Sequence, residues 1–228
     1  MYRTITHNTA RAFLLLSMIG GFASAADAPS LLDEADIHFR HARRVIQENC
    51  RDCAELKEDA LTQGLFEMRQ AIDMNCRETE PAYQLLAEGY KTLLSVFTPP
   101  GSADLDHLIP ELTRIYDHLL ESSPRDPELL FERAKLYRKK DEKLAGFRHV
   151  LDVDSNYAPA RFAVAYLLLE AGKTGKGLSE FRKLRPSPVK AELYRNTVAA
   201  LLQKQGRQKE ADQARRETFA TFHLAERR

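Results

Sequence analysis

The fold class predicted is all-α: about five helix-turn-helix hairpins stacked one on the next, after a removable leader. Three observations carry it. Apolar residues recur at three- and four-residue spacings through ten successive segments. Period-two alternation bounded by turns is missing throughout. Pro or Gly punctuates the breaks, at Thr98-Pro99-Pro100-Gly101, Ser123-Pro124, Gly172, Pro186-Ser187-Pro188 and Gly206. With 228 residues, 43% of them hydrophobic, the chain can bury a real core. Ten Gly, ten Pro and 29% charged residues exclude collagen, mucin-like stalks and low-complexity linkers. The totals of 34 basic and 33 acidic side chains point to no nucleic-acid partner.

The leader comes first. Arg3 and Arg11 open it, Ala12 to Phe22 forms an apolar run, and Ala23-Ser24-Ala25 supplies a small-x-small cleavage site. Residues 1–25 are therefore expected to be a signal peptide. As a helix the run reaches about 16 Å, too short for a hydrocarbon core of about 30 Å. No Cys follows it and no other segment approaches a membrane span. The expectation is a periplasmic or secreted protein, soluble after cleavage and without stable membrane insertion.

The helices then follow in order. Leu31 to Asn49 and Glu55 to Asn75 form a degenerate N-terminal hairpin within residues 26–79. Leu61, Leu65, Met68 and Ile72 make its clearest apolar stripe. Residues 80–228 form the repeat array, with helices at Pro81 to Phe97, Leu105 to Glu121, Glu128 to Lys139, Lys143 to Val153 and Ala158 to Ala171. Gly175 to Leu184, Ala191 to Gln205 and Gln208 to Arg227 complete it. The last is read as a capping helix. Arg215 stands where the previous repeat has Phe181, polar Arg216, Glu217, Glu226 and Arg227 cover one side, and Phe219 and Phe222 anchor the other.

The hairpins repeat at constant spacing. Ala165 and Ala199, Leu168 and Leu202, Gly172 and Gly206, and Gly177 and Ala211 are each 34 residues apart. Ala134 and Tyr137 precede Ala165 and Leu168 by 31, with a shortened turn near Asp141, after which Phe147 and Val150 match Phe181 and Leu184 at 34. Ala87 and Tyr90 lie a further 47 upstream, the excess falling in the turn Ser95 to Asp106. Ala at a helix crossing lets two backbones approach, and Gly ends a helix at positive φ.

This 34-residue helix-turn-helix, with its crossing alanines, turn glycine and second-helix aromatic, resembles the tetratricopeptide repeat (TPR) family. Leu151 to Ala158 resembles that family's inter-repeat junction, with Ser155 where Pro is usual. The resemblance implies stacking into a right-handed superhelix whose first helices line a concave, peptide-binding groove. The implied groove residues are Phe131, Lys135, Arg138 and Lys139, then Phe162, Tyr166 and Leu169, then Asn196 and Lys204. They make a basic rim beside an aromatic patch, suited to a protein or peptide segment carrying acidic and apolar side chains. The family's carboxylate clamp pairs Lys and Asn a turn apart. Gln84/Glu88, Phe131/Lys135, Phe162/Tyr166 and Asn196/Ala200 stand there instead, so no such clamp is expected.

Motifs for catalysis are scarce. Cys50 and Cys53 lie in the first hairpin's turn, where they read as a local disulfide, two passive thiols or a redox pair. A redox pair of this spacing expects a βαβ context that the pattern lacks. Cys76 ends the helix that starts near Cys53, about 33 Å away and out of bridging range. His38 and His41 share a helix face with Glu34, two imidazoles without a convergent third ligand, so no metal is expected. Phosphate-cradling loops, G-x-S-x-G and H-E-x-x-H are missing. No cofactor or enzymatic activity is expected.

Charge is distributed unevenly. Ala26 to Glu128 carries ten basic and 21 acidic residues, net −11; Leu129 to Arg228 carries 22 and 12, net +10. Such a dipole either steers partners to one end or simply solvates two helical surfaces. The function expected is a non-catalytic scaffold or adaptor of the exported space. The alternative is an exported thiol-redox or protein-assembly factor using Cys50 and Cys53.

Overall fold

The computed structural model describes residues 31–51, 58–96 and 108–219. Among these the chain is all-α, with α1 (Leu31–Arg51), α2 (Glu58–Asp73), α3 (Thr79–Val96), α4 (Leu108–Ser122) and α5 (Pro127–Lys135). α6 (Lys140–Val153), α7 (Ala158–Glu170), α8 (Thr174–Arg182), α9 (Pro188–Lys204) and α10 (Gln208–Arg216) follow. Each odd-numbered helix packs on the next as a hairpin, α2 packs on α3, α4 on α5 and α6 on α7, and α1 also meets α3 and α7 meets α9. No described helix is long and apolar enough to cross a membrane. The leader segment, Cys53 and Phe222 lie outside the described residues.

Helix ends are set by local chemistry. Asp126 caps α5 by accepting from the Glu128 and Leu129 amides at 2.8 and 3.1 Å, with Pro127 supplying a helix-ready φ at the first position. α7 and α9 end in the same left-handed turn. Gly172 has φ +72° and Gly206 φ +74°. In each the next amide reaches back to the carbonyl five residues earlier, Lys173 to Leu168 and Arg207 to Leu202, both at 2.9 Å. α2 closes by the same pattern, with Asn75 at φ 58° and the Cys76 amide donating to the Ala71 carbonyl at 2.9 Å. Asn takes the left-handed position that Gly holds elsewhere.

Packing divides into three clusters. α1 to α4 share one core built from Phe39, Ile46, Leu61, Met68, Leu86, Leu112, Ile115 and Leu119. Ala134, Phe147, Val150, Val164 and Leu168 form a second between α5, α6 and α7. The third joins α7 to α10 through Ala165, Leu169, Phe181, Val198, Ala199, Leu202 and Ala211. Repeat-equivalent positions are buried alike: Ala165 with Ala199, Leu168 with Leu202. A Cβ added at Gly177 would lie 2.6 Å from Leu169 Cγ and 3.0 Å from the Ala165 carbonyl, so this position must be minute for α8 to reach α7.

Two sequence expectations are corrected. The spacing of 31 residues does not come from a shorter turn. α5 ends at Lys135, about a turn earlier in its repeat than α7, and four residues separate it from α6. Tertiary contact explains the early stop. Tyr137 packs into the second cluster against Gly146, whose added Cβ would meet the ring at 3.1 Å, and the Arg133 guanidinium covers the ring at 4.9 Å. The last helix ends at Arg216 rather than Arg227: Glu217 is extended, and Phe219 lies edge-on against Phe181 at 5.1 Å.

Candidate functional site: two clefts on opposite faces of α7

α7 reads APARFAVAYLLLE, apolar almost all round, and such a helix must be flanked on several sides. Pro159, Phe162, Ala163 and Tyr166 share one face. Arg161, Val164 and Leu168 share the opposite one. Each face borders a cleft.

The first cleft, about 540 Å³, lies where α5, α6, α7 and α9 approach. Its floor is aromatic. Phe162 stacks on Tyr194 with centroids 4.1 Å apart and planes 9° from parallel, and Tyr166 stands 6.3 Å from Phe162. Phe131 meets Phe147 at 5.3 Å and Tyr157 at 5.5 Å. Phe131, Phe162 and Tyr166 are only half-buried, leaving ring surface open to a ligand. Burial, then the Glu128 and Glu132 carboxylates, pushes the Tyr157 hydroxyl up to about 12, and burial raises that of Tyr194. Both stay neutral donors at any physiological pH.

Lys135 and Lys143 flank the floor. Lys135 Nζ lies 5.8 Å from the Phe131 ring centre and 2.9 Å from Glu132, a carboxylate that also takes Lys91 of α3 at 3.5 Å. Lys143, half-buried one turn before Phe147, meets no carboxylate at ion-pair distance among the described residues.

The second cleft, about 600 Å³, is polar and bounded by α6, α7 and α8. Arg161 bridges it to Glu180 at 2.6 Å, and Glu180 also holds Lys183 at 2.7 Å. Burial raises the Glu180 carboxyl, but the hydrogen bonds and charges of Lys183 and Arg161 outweigh it and leave the group below its ordinary value.

Of the nine groove residues expected from the sequence, Phe131, Lys135, Phe162 and Tyr166 converge on the aromatic cleft. Arg138 and Lys139 do not lie on a first helix: with α5 ending early, both stand in the turn, Lys139 as the residue before α6. Leu169 is fully buried in the third cluster, facing Gly177 rather than the cleft. Asn196 and Lys204 are exposed on α9 but outside the lining. Sequence reasoning missed Lys143, Phe147 and Tyr194. The short α5 is what lets α6, a second helix, contribute to the wall. Tyr194 stands 34 residues after the buried Ala160, so the repeat register carried no signal for it.

Other expected chemistry resolves differently. His41 turns to Glu67 of α2 through Nδ1, not to Glu34 or His38. Cys76 is buried at the close of α2, and burial pushes its thiol up, away from nucleophilic character. The candidate Cys50–Cys53 pair lies outside the described side chains. Compared with known proteins, the chain matches no family model and no curated protein.

Proposed function

We propose that the protein is a non-catalytic interaction module that receives a peptide or protein segment in the aromatic cleft between α5, α6, α7 and α9. One observation carries this reading: Phe131, Phe162 and Tyr166, from two hairpins, meet in one open cleft with ring surface unspent on the core. Rigid aromatic rings bury area at low entropic cost, which suits them as binding anchors. The 34-residue spacing, the shared turns at Gly172 and Gly206 and the pairwise packing support a TPR-like array wound as a right-handed superhelix, with the cleft on its concave side. The leader pattern supports service as an exported, periplasmic adaptor.

The test is selection from a random peptide display library on the parent chain and on Tyr166→Ala. Peptides that bind the parent and lose about tenfold or more on the variant are expected, with helical circular dichroism unchanged. Peptides retained equally by both proteins would place binding elsewhere.

A further inference from the structure

Resting on that reading, we infer that the cleft selects a segment pairing a carboxylate with a neighbouring aromatic or branched apolar side chain, and that Lys143 of α6 receives the carboxylate. The rings of Phe131, Phe162 and Tyr166 set the apolar half of this preference. The charged half follows from which cations around the cleft are already satisfied. Lys135 holds Glu132 at 2.9 Å, Lys139 holds Glu142 at 3.1 Å, Lys140 holds Glu170 at 3.1 Å and Arg133 holds Asp117 at 2.7 Å. Lys143 alone of the two cleft lysines has no such partner among the described residues. Lys143 is half-buried in the lining of a largely apolar cleft, so a carboxylate meeting it there is better shielded from water than at a fully solvated lysine. The part of the chain that forms the cleft is basic as a whole, Leu129 to Arg228 carrying a net +10. An acidic segment is steered in; a basic one is repelled.

The same library, selected on the parent, Lys143→Glu, Lys143→Gln and Lys135→Glu, reads this out as composition and affinity. Tyr166-dependent peptides from the parent are expected to carry Asp or Glu near an aromatic or branched residue. Lys143→Glu should abolish that acidic excess and weaken parent-selected peptides about tenfold, Lys143→Gln about threefold. Lys135→Glu should cost less than Lys143→Glu, since Lys135 is already tied to Glu132. The Lys143 effect should shrink in 0.5 M salt, as screening predicts. Tyr166-dependent peptides without acidic excess, or an excess that survives Lys143→Glu, would overturn the assignment and leave the cleft standing. Selection yielding no Tyr166-dependent peptide would overturn both.

Discussion

The two ends of the chain spend their aromatic residues differently. In α1 to α4, Phe39, Tyr90 and Tyr116 are 2%, 6% and 2% exposed in one core that four helices share, while Phe66 stands 56% exposed on α2 and Tyr83 is half-buried against His118. In α5 to α9, Phe131, Phe162 and Tyr166 remain half-buried between two smaller clusters. Helix length explains part of this. α1, α2 and α3 run 21, 16 and 18 residues, whereas α5 and α8 run nine, too short to cover the hairpins beside them. The long helices make a scaffold, and the short ones leave clefts. Regular spacing in sequence marks the second region, not the better-packed one.

Truncation breaks this contrast most directly. Phe39→Ala should cost about 3–5 kcal/mol, since a wholly buried ring leaves a cavity among four helices. Phe162→Ala should cost about 1–2 kcal/mol, because that side chain is only half-buried and lines the cleft. Denaturant unfolding of both variants checks the ordering, and equal losses would mean that the cleft rings are core.

Turn chemistry gives a smaller effect that is set by the backbone rather than by packing. Gly172→Ala and Gly206→Ala should each lose about 1 kcal/mol, because φ near +70° is strained for any residue with a Cβ. Beyond the adjoining residues, no atom lies within 4 Å of the added methyl at either site, so backbone strain sets the cost. Asn75→Gly should be neutral or mildly stabilising, and melting of the three variants separates backbone strain from packing.

The smallest effect is the acid sensitivity of the Arg161–Glu180–Lys183 cluster. Glu180 has a folded value below its ordinary 4.5, so its contribution is present above that pH and is lost as pH falls below it. Stability of the parent between pH 5 and pH 3 should therefore fall slightly more steeply than that of Glu180→Gln. Identical slopes would show that Arg161 and Lys183 give Glu180 no net stabilisation.

Most of the architecture was legible as local pattern. Apolar periodicity located the helices, and the constant spacing of Ala165, Leu168 and Gly172 with Ala199, Leu202 and Gly206 announced positions that are buried or turned alike. These are properties of single helices and single turns, decided by residues within a few positions of each other. Four cleft residues were legible for the same reason, since they lie on first helices in register. Where a helix stops short was decided by tertiary contact. Tyr137 packing on Gly146 goes with the early end of α5, and the placement of Phe219 on Phe181 goes with the end of α10. From the first of these follow the displacement of Arg138 and Lys139 into a turn and the entry of Lys143 and Phe147 into the cleft. Leu169 went to the core because Gly177 opened a space for it that no neighbour in sequence foretells. Periodicity tells which face of a helix is apolar; only the packed partners decide whether that face becomes core or cleft.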